Sequence, residues 1–122
     1  MARAAIFVFV IVLGGLGVAC RGSTRDAGPP CSAVAVKFLE IARFDLANAK
    51  VDEPTARAVT DQLPAMRDTL AQACTEGKWS AAARDCLVHA NDHLGFETCE
   101  QQLTDEQRRD LDRATPGTSE TP

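Results

Sequence analysis

Histidine occurs only twice in this chain and tryptophan once, and no nucleophile, histidine and acid share a spacing that catalysis uses. Neither a phosphate-cradling glycine loop nor a cofactor fingerprint is present, so the sequence predicts no enzyme and no cofactor. None of the five cysteines forms a C-x-x-C pair, which argues against zinc knuckles and a thioredoxin-like redox centre. No alternating β-branched run and no hairpin dipeptide between apolar segments appears, so no strand is predicted. Basic residues are outnumbered, 13 Lys and Arg against 17 Asp and Glu, and none of them forms a patch. That balance argues against nucleic acid as a partner and against electrostatic attraction to anionic headgroups. The longest apolar run, Ile6 to Val18, falls short of the roughly 20 residues that span a bilayer and contains three glycines.

That short run follows Arg3 and ends at Ala19-Cys20. A positive start, an apolar middle and small residues at a cut site are the layout of an export signal, here residues 1–19. A cysteine placed directly after the cut resembles the lipobox of bacterial lipoproteins, in which that thiol is acylated. Ala19 fits the pattern, whereas Gly17 stands where leucine is usual and Leu16 comes one place early. Gly17-Val18-Ala19 also satisfies the small-x-small rule for ordinary cleavage, which would release a soluble secreted or periplasmic protein. Cysteine parity favours the lipoprotein, because acylating Cys20 leaves an even set: Cys31, Cys74, Cys86 and Cys99. The resemblance implies a palmitate-bearing membrane anchor at Cys20. Arg21, in place of aspartate, then implies the outer membrane, with the protein facing the periplasm. Residues 20–30, rich in Gly, Ser and Pro, read as the lipidated cysteine and a flexible tether.

Residues 31–113 carry the pattern of one small helical domain, and 114–122 read as a disordered tail. Cys31, Ala35, Leu39, Ala42, Leu46 and Ala49 form one helical stripe, with Val34, Phe38 and Ile41 beside it and Phe44 on the polar side. Asp52 caps a second helix with Pro54 in its first turn. Its stripe, from Ala56 through Leu63 and Leu70 to Ala73, keeps phase across Pro64, predicting one kinked helix. Gly77 ends it. Ser80 caps a third helix whose stripe runs through Ala83, Leu87, Ala90 and Leu94, with Gly95 beyond its end. Phe96, Cys99 and Leu103 predict a short fourth. Thr104 and Gln107 form a capping box opening a last helix to about Arg113. The fold class is all-α: an antiparallel hairpin with two or three shorter helices packed on it. Short connection at Lys50 to Glu53 brings the start of the first helix beside the end of the second. Of three possible connectivities this favours Cys31–Cys74 and Cys86–Cys99.

Two resemblances follow. The run from Cys74 through Trp79, Arg84, Cys86, Ala90, Cys99, Leu103 and Gln107 to Leu111 resembles small exported helical cysteine proteins of myxobacteria and related Gram-negative bacteria. That family implies no activity. Leu103-Thr104-x-x-Gln107 is similar to the LTxxQ motif of Spy- and CpxP-type periplasmic proteins and implies a client-binding chaperone or stress sensor; a capping box accounts for the same residues. His89 and His93, i and i+4 on the third helix with Asp85 and Asp92 nearby, are the candidate metal ligands, while surface and capping roles explain them without a metal. The leading expectation is a non-catalytic envelope lipoprotein, a protein-interaction or structural module with an unidentified protein partner.

Overall fold

A computed structural model describes residues 27–114. The export signal, Cys20, most of the tether and all but the first residue of the tail lie outside the described residues. Five helices and, among these residues, no strand make up the fold: α1 (Cys31–Asn48), α2 (Glu53–Glu76), α3 (Ala81–Val88), α4 (His93–Glu100) and α5 (Asp105–Ala114). The class is all-α, as the periodicity predicts. α1 and α2 form the long antiparallel pair; α3 and α4 pack on α1 and on each other, and α5 packs on α2.

Local chemistry sets each boundary. The Pro30 carbonyl accepts from Ala33 N at 3.0 Å, opening α1 without a side-chain cap. Asp52 caps α2, accepting from Thr55 N at 3.2 Å and from the Thr55 hydroxyl at 2.7 Å. Those bonds hold the Asp52 carboxyl below its ordinary pKa. α2 runs unbroken through Pro64. Gly77 ends it, although with φ −74°; the left-handed residue is Lys78, at φ 49°. What Gly77 supplies is space, since a Cβ there would lie 2.7 Å from the Ala73 carbonyl oxygen and 3.0 Å from Trp79 Nε1.

The third helix departs from its predicted length. α3 stops at Val88, and Asp92 accepts from Gly95 N at 2.7 Å to start α4. An aspartate that caps a new first turn competes with continuation of the old helix, and it wins here. Leu94 therefore leaves the predicted stripe and is 71% exposed, while Ala90 stays buried. Gly95 lies inside α4, not beyond a helix end.

Both bridges form as the hairpin geometry predicts. Cys31 pairs with Cys74 and Cys86 with Cys99, with Cα separations of 5.7 and 5.6 Å. The core gathers around the first: Val34 and Cys74 are sealed beside Leu87, and Phe38 of α1 meets Phe96 of α4 at 6.1 Å between ring centroids. Burial ends partway along the hairpin. Ile41 is the last buried residue of α1 and Leu63 the first of α2. Everything between them, Phe44 included, is half-buried or exposed. No helix of the described residues is long and apolar enough to cross a membrane.

Opening the bridges by Cys-to-Ser pairs should lower stability by about 4 kcal/mol for Cys31–Cys74 and about 3 kcal/mol for Cys86–Cys99, following the lengths of the loops they close. Urea denaturation of the two double variants checks both values. Equal losses would contradict the loop-length ordering.

Candidate functional site

The residues flagged from the sequence fall into three places. The first is the pole of the molecule where α1 begins and α2 ends. Trp79 is 97% buried there, its backbone N–H donating to the Cys74 carbonyl at 3.2 Å. Arg84, on the first turns of α3, is the one buried charged residue among those described, 6% exposed. Its Nε donates to the Trp79 carbonyl at 3.1 Å, and its Nη1 donates to the carbonyl of Pro29, 55 residues earlier in the chain. Gly28 lies so close to α3 that a Cβ would stand 2.8 Å from Ala81 Cα. The last residues of the predicted tether are thus seated on the domain. Beside them a cavity of about 430 Å³ is lined by the Cys31–Cys74 bridge, Thr75, Lys78, Ser80 and Arg84. Ser80 is engaged there as the α3 cap, its Oγ accepting from Ala83 N at 3.1 Å.

The sequence places Arg84 only in the run that carries the resemblance to exported cysteine proteins, with no role of its own. A signal was present: Arg84 follows Ala83 directly and precedes Leu87 by three, so it borders the buried stripe of α3. An arginine in that position buries its stem and must find acceptors for its guanidinium. The main-chain carbonyls of Trp79 and Pro29 are two of them.

The second place is the pair of histidines. They do not share a helix face. His89 is the C-cap of α3 and His93 the first residue of α4, because the helix expected to hold both is two helices. His89 Nδ1 lies 2.8 Å from the Asp85 carbonyl oxygen and 3.6 Å from Asp85 Oδ1. His93 Nε2 lies 3.0 Å from Glu97 Oε1. His93 thus stands at a helix N-terminus, where a positive charge opposes the dipole, and not on the third helix as its spacing predicts. Glu97 offsets that. Among the described residues no three His, Cys, Asp or Glu side chains are grouped to hold a metal ion.

The third place is the start of α5. Gln107 N donates to Thr104 Oγ1 at 3.1 Å and Thr104 N donates to Gln107 Oε1 at 2.9 Å, a reciprocal capping box. Gln107 Nε2 also donates to the Gly77 carbonyl at 2.8 Å, fastening α5 to the end of α2. Leu103 is buried. The apolar, hydroxyl and amide groups of the LTxxQ-like stretch are all occupied by the fold.

Near it, burial pushes the half-buried Glu100 carboxyl above its ordinary pKa, and the Glu97 carboxylate adds to the effect; His93 opposes it. No family model matches the chain, and no curated protein or solved structure does either.

Three substitutions test these arrangements. Gln107→Ala should cost about 1–2 kcal/mol, the loss of a cap and a tertiary bond. Gln107→Glu should recover only part of it, because a carboxylate can accept from Thr104 N but cannot donate to Gly77. Full recovery in thermal melts would rule out the Gly77 bond. For Glu100, a raised folded-state pKa favours the folded protein below the ordinary carboxylate range and loses that contribution as pH rises through the raised value. Glu100→Gln should therefore be more stable than the parent at neutral pH, with the difference shrinking on acidification. A constant difference across pH in urea titrations would contradict this.

Proposed function

We propose that this protein is a non-catalytic envelope lipoprotein: a rigid helical module held to a membrane by acylated Cys20, acting through protein interaction or as a structural element. The observation that carries the reading is the cysteine count. Cys31, Cys74, Cys86 and Cys99 bond to one another, which leaves Cys20 outside both bridges. In an exported protein an odd cysteine needs its own chemistry, and acylation next to Ala19 supplies it. Two bridges in a domain of this size also fit an oxidising compartment. The outer-membrane, periplasm-facing placement rests on Arg21 alone.

A client-binding chaperone is the second reading, resting on the LTxxQ resemblance. The consumption of Leu103, Thr104 and Gln107 in packing and capping favours the module instead.

Intact-mass measurement of the chain recovered from membranes should show a diacyl or triacyl group on an N-terminal Cys20, and Cys20→Ser should abolish detergent partitioning. An unmodified Cys20 in a freely soluble protein would overturn the anchor. A soluble domain that suppresses client aggregation at equimolar ratio would move the chaperone reading to first place.

A further inference from the structure

We propose that the Cys31–Cys74 bridge is a thiol-exchange site, opened by dithiols under conditions in which Cys86–Cys99 stays closed, and that it makes the pole a redox-sensitive latch. Neither access nor loop length separates the two bridges. Each joins a half-buried residue, Cys31 or Cys86, to a buried one, Cys74 or Cys99. A longer loop makes a bridge worth more to the fold, but it makes the same closure rarer in the unfolded chain. The two effects cancel in the folded protein, where each pair of cysteines is already side by side.

Charge does separate them. Cys31 and Cys74 both line the cavity of about 430 Å³ at the pole, together with Lys78 and Arg84, and no carboxylate lines it. In a chain of net charge −4 that is a local reversal of sign. Cys31 is also the first residue of α1, whose first turn holds no acid and whose N-cap lends no side chain. Cations and a helix N-terminus both stabilise a thiolate. The other bridge has the opposite setting. Cys86 stands in the last turn of α3 with Asp85 before it, and Cys99 in the last turn of α4 with Glu100 after it. A helix C-terminus and an adjoining carboxylate both disfavour a thiolate.

The exchange is a two-electron reduction by a dithiol. One of its thiolates enters the cationic cavity and attacks Sγ of the half-buried Cys31. The bond between the two sulfurs breaks, and its electron pair leaves on Cys74, which takes up a proton. The second thiolate then attacks the dithiol's own sulfur in the mixed disulfide and releases Cys31 as a thiolate at the start of α1. The dithiol ends as a disulfide, having given up two protons, one to Cys74 and one to solvent. The start of α1 is then untied from the end of α2, beneath Trp79, which shares a cluster with Cys74.

The test uses the chain from residue 20 onward, with Cys20→Ser so that this thiol takes no part. It is equilibrated in mixtures of reduced and oxidised dithiothreitol, trapped with N-ethylmaleimide and mapped by peptide mass spectrometry. Cys31 and Cys74 should be half-labelled at a ratio of reduced to oxidised reagent about tenfold lower than Cys86 and Cys99, a difference of about 30 mV. Lys78→Glu reverses an exposed charge at the cavity and should cut that gap about threefold. Asp85→Asn, exposed beside the other bridge, should narrow it too. Circular dichroism checks that both variants fold. Labelling of all four cysteines together, or of Cys86 and Cys99 first, overturns the exchange site. A gap unmoved by both charge changes overturns its electrostatic cause. Trp79 emission should shift to the red once the first bridge alone is open, and an unshifted spectrum overturns the latch.

Discussion

The Cys31–Cys74 bridge is the constraint on which the rest of the structure depends. It joins the first residue of α1 to the last buried residue of α2, so the two long helices share a fixed end. A domain of some 80 residues has little hydrophobic surplus, and a covalent closure of this length contributes about as much as two fully buried side chains. The core forms where the bridge is. Leu87 and Val34, fully buried, lie in the same cluster as Cys74, and Trp79 covers it with its backbone bonded to the Cys74 carbonyl. The second bridge does the same for the short helices, clamping α3 to α4 around a turn too brief to hold them alone.

Arg84 shows how a charge is accommodated in such a core. A guanidinium cannot give up its proton, so burial is tolerated only when its N–H groups find acceptors. The carbonyls of Trp79 and Pro29 are main-chain groups, and each has reasons to be near: one begins the approach to α3, the other precedes α1. The bond thus couples two chain segments that lie far apart in sequence, which side-chain packing at that pole would do less selectively.

Much of this was legible in the residues. Asp52, Ser80, Thr104 and Gln107 announce their helices because their side chains bond backbone N–H groups a few residues on, a local rule that needs no tertiary knowledge. The hairpin and both bridges follow from helix lengths and a short connection. The third helix was misjudged because Ala90 and Leu94 continue the apolar phase, and phase alone cannot see a cap; Asn91-Asp92 was the signal that outweighed it. That error also carried His89 and His93 onto one face they do not share. The seating of Gly28 and Pro29 was hidden for a different reason. Gly and Pro read as linker by composition, and only the tertiary position of Arg84 makes them part of the domain. No residue pattern in the described domain spelled out a chemistry, so the functional reading leans on the cysteines.

The uncovered outer half of the hairpin has one more implication, for how the molecule comes apart. Pro64 has no N–H, so the helical bond that would reach back to the Thr60 carbonyl is missing from α2. Its neighbour Leu63 is the first buried residue on that helix. The gap in the bonding ladder and the edge of the core therefore coincide. Residues 42–62 contain no buried side chain, so local opening is expected to start there and to reach the bridged pole last. Stability in this protein is graded along its length, greatest where it is tied and least where it is farthest from the tie.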